Sequence, residues 1–127
     1  MIIGIGVDIA ETLRFERIYA RFDGRIARRI LTDNEIIEFE RRNKPASYLA
    51  TRFAAKEAAA KALGTGFGSG VGYKNIEINN DEYGKPSLRF LDTASQLSEQ
   101  KQVTKVFVSI SDEKHYVVAM VILECLE

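Results

Sequence analysis

The chain has 127 residues, its 18 basic and 18 acidic side chains cancel to a formal net charge of zero, and 46% of its residues are hydrophobic. That length fits one domain able to bury roughly two thirds of its unfolded surface, so a core can form without disulfides or a structural metal. Neutrality argues against the broad positive field of a nucleic-acid-binding protein, the lone Cys125 excludes an internal disulfide, and the longest apolar run, residues 116–123, is too short to span a bilayer.

A lone cysteine suits a reducing compartment, and the chain starts on a strand-like run without a basic leader, so the expectation is a cytoplasmic protein with no membrane and no nucleic acid among its partners. From Ile2 to Ala10 residues alternate: Ile3, Ile5, Val7 and Ile9 on one face, Gly4, Gly6, Asp8 and Ala10 on the other. The pattern predicts a strand packed through its isoleucine face, with a nearly bare glycine face that lets a ligand or another chain approach Asp8. The Gly-x-Gly lacks the third glycine and the following helix of a dinucleotide fingerprint.

Residues 11–20 read as a helix with Leu13, Ile18 and Phe22 available for packing and Arg14, Arg17 and Arg21 on one flank. Asp23-Gly24 breaks the chain, and a short helix over 25–31 adds Arg25, Arg28 and Arg29, making six arginines opposed only by Glu16 and Asp23. Thr32-Asp33-Asn34-Glu35 is a capping box that starts the next helix near Asp33. A long helix then runs from Pro45 to Leu63 and stops at Gly64. Its apolar stripe is read as Leu49, Phe53, Ala60 and Leu63, with Lys56 inside it, Glu57 at its edge, and Lys61 paired with Glu57 one turn on.

Glycines 64, 66, 68, 70 and 72 mark a loop where phosphate could approach backbone N–H groups. Residues 75–79 and 87–91 form a hairpin with an exposed tip, Asp92 caps a short helix through Leu97, and residues 103–111 and 116–123 are the central strands. The last is apolar on both faces and needs cover on both, the long helix supplying one. His115 reads as a turn residue between them. Together these elements predict an α+β domain in which a small antiparallel sheet packs against the long helix.

Gly6-Val7-Asp8-Ile9, the run from Arg52 to Gly64 with its Lys-Glu-x-x-x-Lys, and Gly84-Lys85-Pro86 together resemble the holo-[acyl-carrier-protein] synthases, short single-domain 4′-phosphopantetheinyl transferases, in order and spacing over essentially the whole chain. The resemblance implies a 4′-phosphopantetheinyl transferase-like fold and transfer of 4′-phosphopantetheine from coenzyme A to a serine of apo acyl carrier protein, with release of 3′,5′-ADP, in support of fatty acid biosynthesis. It implies that Asp8 and Glu57 bind Mg²⁺, an ion that takes one or two carboxylates and keeps water and substrate oxygens in its octahedron. Lys61 is then the side chain that balances charge on the pyrophosphate and protonates the leaving group, and Glu57 is a candidate base toward the carrier serine, directly or through water. Arg52 and Lys44 are candidates for the remaining phosphates, and Gly84, Lys85 and Pro86 for the nucleotide end. The arginine patch, through Arg14, Arg21 and Arg25, suits an acidic helix of the carrier protein. Double-length relatives complete their site with two similar halves, so this chain is expected to form a homotrimer with sites between subunits. Many relatives carry a histidine where Phe107 stands here, which removes that contact to phosphate. A reading from another class, a non-enzymatic module that binds an acidic protein or RNA through the arginine patch, competes with this one, as does another Mg²⁺-dependent nucleotide-using enzyme.

Overall fold

The computed structural model describes residues 1–22 and 24–126, in which five helices and five strands form an α+β arrangement. Strand β1 (Ile2–Glu11) leads into α1 (Thr12–Phe22), α2 (Arg25–Ile30) and α3 (Asp33–Arg41). The long helix α4 (Pro45–Leu63) is followed by a 3-10 turn (Tyr73–Asn75), the hairpin β2 (Ile76–Asn80) and β3 (Pro86–Phe90), α5 (Asp92–Gln100), and strands β4 (Lys105–Asp112) and β5 (Tyr116–Glu124). No helix among these residues is long and apolar enough to cross a membrane.

Local signals place the helix ends as expected. Thr32 Oγ1 accepts from Glu35 N and Glu35 Oε1 accepts from Thr32 N, so the predicted capping box closes both ways. Proline opens α4, and Gly64, at φ 83°, turns left-handed to end it. Of the predicted Asp23-Gly24 break, Asp23 lies outside the described residues and Gly24 precedes α2. Helix α5 does not start with a side-chain cap from Asp92; Leu91 occupies the cap position.

The sheet order is β1-β5-β4, antiparallel throughout, while β2 and β3 form a separate ribbon. Thus β5 is central and β4 is an edge, not a second central strand. The face that packs on α4 carries Val117, Ala119, Val121 and Leu123 of β5, all buried. On β1 the alternation has the predicted period but the opposite assignment. Gly6 and Ala10 are buried against α4, whereas Ile3, Ile5, Val7 and Ile9 are exposed, between 38% and 63%. A Cβ at Gly6 would lie 1.8 Å from the carbonyl oxygen of Ala58, and one at Gly4 would lie 2.2 Å from that of Ala62. The bare face therefore lets a strand backbone rest directly on a helix backbone, and the close approach to Asp8 is made by the chain itself.

Such contact requires small residues on the helix as well, and Ala54, Ala55, Ala58, Ala59 and Ala62 are all buried. Helix α4 is consequently enclosed almost all round, not along the single stripe expected, and among its charged residues only Lys61 is exposed. Helix α1 packs through Phe15 and Thr12, leaving the expected Leu13 and Phe22 exposed among the arginines. Lys56 is completely buried: its ammonium donates to Glu35 Oε1 at 2.6 Å, to Ile30 O at 2.6 Å and to Tyr73 O at 3.1 Å. Glu35 also accepts from Ile78 N through Oε2, so one ion pair ties α2, α3, α4 and β2 together. Such a pair persists because every polar atom is matched; removing one partner leaves an unpaired charge in the core.

Candidate active site

The contact of β1 on α4 carries Asp8 to the face of the helix that holds Glu57 and Lys61. Lys61 Nζ donates to Asp8 Oδ1 at 3.0 Å and to Val7 O at 3.1 Å, so its partner is a strand residue and not Glu57 one turn back. Glu57 is held from another side, where Tyr73 Oη donates to Oε1 at 2.8 Å. Burial, then the hydrogen bond to Glu57 and the charges of Glu57 and Asp8, push the Tyr73 phenol far up, which keeps it a donor. Lys61, one turn beyond Glu57 on α4 and bonded to Asp8, puts the two carboxylates on the same side of that helix. Nothing in the local sequence signals Tyr73, sixteen residues beyond Glu57; only the return of the glycine loop brings it in. In that loop Gly64, Gly66 and Gly70 have positive φ, which a side chain would oppose.

The donor set fits a small hard cation. Lys61 occupies Asp8 Oδ1 and Tyr73 occupies Glu57 Oε1, leaving Asp8 Oδ2 and Glu57 Oε2 unbonded among the described residues. No group of three or more His, Cys, Asp or Glu side chains among those residues could hold a metal. Two carboxylates are too few for a closed site but suit Mg²⁺, which keeps water and substrate oxygens.

A second group lies on the other side of α4. A cavity of about 480 Å³ is lined by residues including Lys44, Tyr48, Thr51, Arg52, Asn80, Gly84 and Pro86, with Ile110 and Asp112 of β4. Arg52 is 5% exposed and stacks over Tyr48 with 4.4 Å from its guanidinium carbon to the ring centroid. It donates to Thr51 Oγ1 at 3.3 Å, to Asn80 Oδ1 and to Ile78 O at 3.5 Å, while its Nε has no partner and no carboxylate pairs with it among the described residues. A buried cation balanced only by dipoles, on the wall of a polar cavity, is suited to an anion. The structure thus gathers Lys44, Arg52, Gly84 and Pro86; Lys85 is exposed on the hairpin tip and outside this lining. The tip is shaped by Asp81, whose Oδ1 accepts from Tyr83 N and Lys85 N, and by Gly84 at φ 84°.

Arg14, Arg21 and Arg25 are exposed on α1 and α2, Arg14 and Arg21 lying over the rings of Phe15 and Phe22. His115 is in the exposed β4–β5 turn, as expected, where its carbonyl accepts from Thr12 N. Phe107 projects from β4, 48% exposed, on the sheet face away from α4.

Paired carboxylates with an ammonium beside them, and a cationic cavity on the same helix, are the parts of an enzyme that moves a phosphate-linked group. The chain belongs to the 4′-phosphopantetheinyl transferase superfamily, whose family model matches residues 4–121. Within it, the chain is a transferase of the holo-[acyl-carrier-protein] synthase kind. It is 49% identical to a holo-[acyl-carrier-protein] synthase of Vibrio cholerae over 98% of both chains. Its structure resembles that of the Neisseria meningitidis holo-[acyl-carrier-protein] synthase, with a TM-score of 0.91 at 44% identity over 98% of this chain and 99% of the other. It also resembles a Bacillus anthracis holo-(acyl-carrier-protein) synthase solved in complex with CoA (3′,5′-ADP), with a TM-score of 0.81 at 40% identity over 99% of each chain.

Proposed function

We propose that this chain transfers the 4′-phosphopantetheinyl group of coenzyme A to a serine of an apo acyl carrier protein, with Mg²⁺ held by Asp8 and Glu57, and releases 3′,5′-ADP. The observation that carries this reading is the Asp8–Lys61 contact beside Glu57, which sets two anions for a cation next to a cation for phosphate. When bound, Mg²⁺ neutralises charge on the phosphate oxygens. The serine Oγ forms a bond to the phosphorus that bears pantetheine, and the bond from that phosphorus to the bridging pyrophosphate oxygen breaks. The serine proton passes to a base, for which Glu57, acting through a water molecule, is the candidate. The electron pair of the broken bond stays on the leaving phosphate, where the Lys61 ammonium balances or protonates it.

Arg52 and Lys44 serve the phosphates of the nucleotide, with Gly84, Lys85 and Pro86 beside the adenosine. Arg14, Arg21 and Arg25, interleaved with the exposed Leu13 and Phe22, suit an acidic amphipathic helix of the carrier. The loaded carrier serves fatty acid biosynthesis in the cytoplasm.

The working unit is an oligomer, a homotrimer in this reading, with each site shared between subunits. Two features support it. Asp8 belongs to edge strand β1, whereas the Arg52 cavity includes Ile110 and Asp112 of the opposite edge, β4, with β5 between them. Around α4, Arg52 and Glu57 are five residues apart and so point about 140° from each other. The open sheet face between the half-sites is largely apolar: Ile5, Ile122 and Phe107 are in register across the strands, as are Val7 and Met120, and Ile9 and Val118, with Ser109 and Ser111 of β4 completing the last two rows. A patch of that kind calls for a partner surface, and joining one edge to the opposite edge of a copy is a head-to-tail contact that closes into a ring.

The test is incubation with coenzyme A, Mg²⁺ and apo carrier protein, followed by intact-mass measurement of the carrier. One added phosphopantetheinyl group is expected with the wild type and none with Asp8→Asn or Glu57→Gln. Absence of the gain in the wild type would overturn the reading; full transfer in excess chelator, or in either variant, would overturn the metal assignment.

A further inference from the structure

Tyr73 is gripped by two consecutive residues of α4. Lys56 Nζ donates to its carbonyl oxygen at 3.1 Å, and Glu57 Oε1 accepts from its hydroxyl at 2.8 Å. Its ring is fixed between those of Phe67, with centroids 4.0 Å apart, and Phe53, at 5.8 Å, both stacked. Its backbone belongs to a 3-10 turn closed by Asn75 Oδ1, which accepts from Gly72 N at 2.8 Å. Backbone, ring and hydroxyl are therefore each held by a separate contact, which is more constraint than packing alone requires.

The recipient of this rigidity is one oxygen of Glu57. A free carboxylate can meet a cation through one oxygen or both, and large ions such as Ca²⁺ accept the two-oxygen mode, whereas Mg²⁺ demands near-ideal octahedral geometry with single oxygens. We infer that Tyr73 is a positioning residue that occupies Glu57 Oε1 and reserves Oε2 for the cation, so that the site selects a small ion with one-oxygen ligation. Asp8 is restricted in the same way by Lys61, which occupies Oδ1. Both carboxylates thus present a single oxygen, held by donors from the glycine-loop side and from α4. The inference rests on the assignment of Asp8 and Glu57 as cation ligands.

The test is Tyr73→Phe, which removes the hydroxyl and keeps the ring stack. Wild type and variant, saturated with coenzyme A, are titrated calorimetrically with MgCl₂ and, separately, with CaCl₂. The expected result is a Mg²⁺ affinity lowered by about threefold to tenfold, as for loss of one hydrogen bond that orients a ligand, with Ca²⁺ affinity held or raised. The preference for Mg²⁺ over Ca²⁺ then falls by at least that factor, a change that loss of packing alone would not produce. An unchanged preference in the variant, with normal binding in the wild type, overturns the inference and leaves the ligand assignment standing. A wild type that binds neither ion, or an Asp8→Asn variant that binds both as tightly as the wild type does, overturns the ligand assignment and the inference with it.

Discussion

Replacing Gly6 with alanine tests whether the β1–α4 backbone contact builds the site. The added Cβ would sit 1.8 Å from Ala58 O and 2.8 Å from both Ala58 C and Ala62 N, all backbone atoms with no rotamer to escape through. Moving that carbonyl to even the 3.0 Å below which real Cβ contacts essentially never fall requires β1 and α4 to part by about an ångström. A gap of that size forfeits a quarter to a half of the dispersion energy along the seam, which includes the buried Ala10, Ala54, Ala58 and Ala62. The expected cost is about 3 kcal/mol or more, or roughly 10 °C in Tm. The same shift carries Asp8 away from Lys61 and Glu57, so transfer should fall further than the folded fraction does. Thermal unfolding followed by circular dichroism checks the first effect, and initial rates well below Tm check the second. Gly24→Ala, where the added Cβ meets nothing within 4 Å and only the preference of an N-cap for glycine over alanine is lost, is the control, with a change inside about 1 kcal/mol. A Gly6→Ala protein with wild-type Tm and rate would refute the account of both the fold and the site.

Lys56→Met should destabilise by about 3–5 kcal/mol because it strands Glu35 in the core, and adding Glu35→Gln, which removes the charge and keeps an acceptor toward Thr32 N or Ile78 N, should recover part of that loss; denaturant titration of the two variants decides. Burial raises the pKa of Glu77, but hydrogen bonds from Thr32, Asn79 and Arg89 outweigh it, so the folded pKa lies below the usual 4.5. That stabilisation is full above pH 4.5 and is lost as pH falls through the lower folded value, so Tm should drop in that window, and drop less steeply in Glu77→Gln. Phe107→Asp places a charge on the open sheet face and should shift sedimentation from oligomer to monomer with loss of transfer; a fully active monomer would end the shared-site arrangement. Reversing Arg14, Arg21 and Arg25 to Glu together should raise KM for the carrier about tenfold at low salt, less at high salt, and leave coenzyme A binding unchanged; equal kinetics would remove the patch from carrier recognition.

What the amino-acid sequence determined by itself was local. Thr32 and Glu35, Pro45 and Gly64 mark helix ends because caps, proline and left-handed glycine act within a turn of their own position. The motif around Glu57 and Lys61, with Asp8, was likewise legible as a set, and so was the hairpin whose turn passes through Gly84-Lys85-Pro86. Tertiary structure decided the rest. Alternation on β1 defines two faces but not which one is inside, and apolar bulk pointed to Ile3, Ile5, Val7 and Ile9; the decision came from Gly4 and Gly6, whose missing side chains admit α4 to contact distance. Helical spacing paired Lys61 with Glu57, yet its ammonium reaches Asp8, 53 residues away in the chain. Lys56 looked like one charge in an apolar stripe until Glu35, 21 residues earlier, was packed against it. Nor did any spacing rule tie Tyr73 to Glu57. Each of these is a pairing between separate elements, and its energy depends on where the core sets those elements, which no local period encodes.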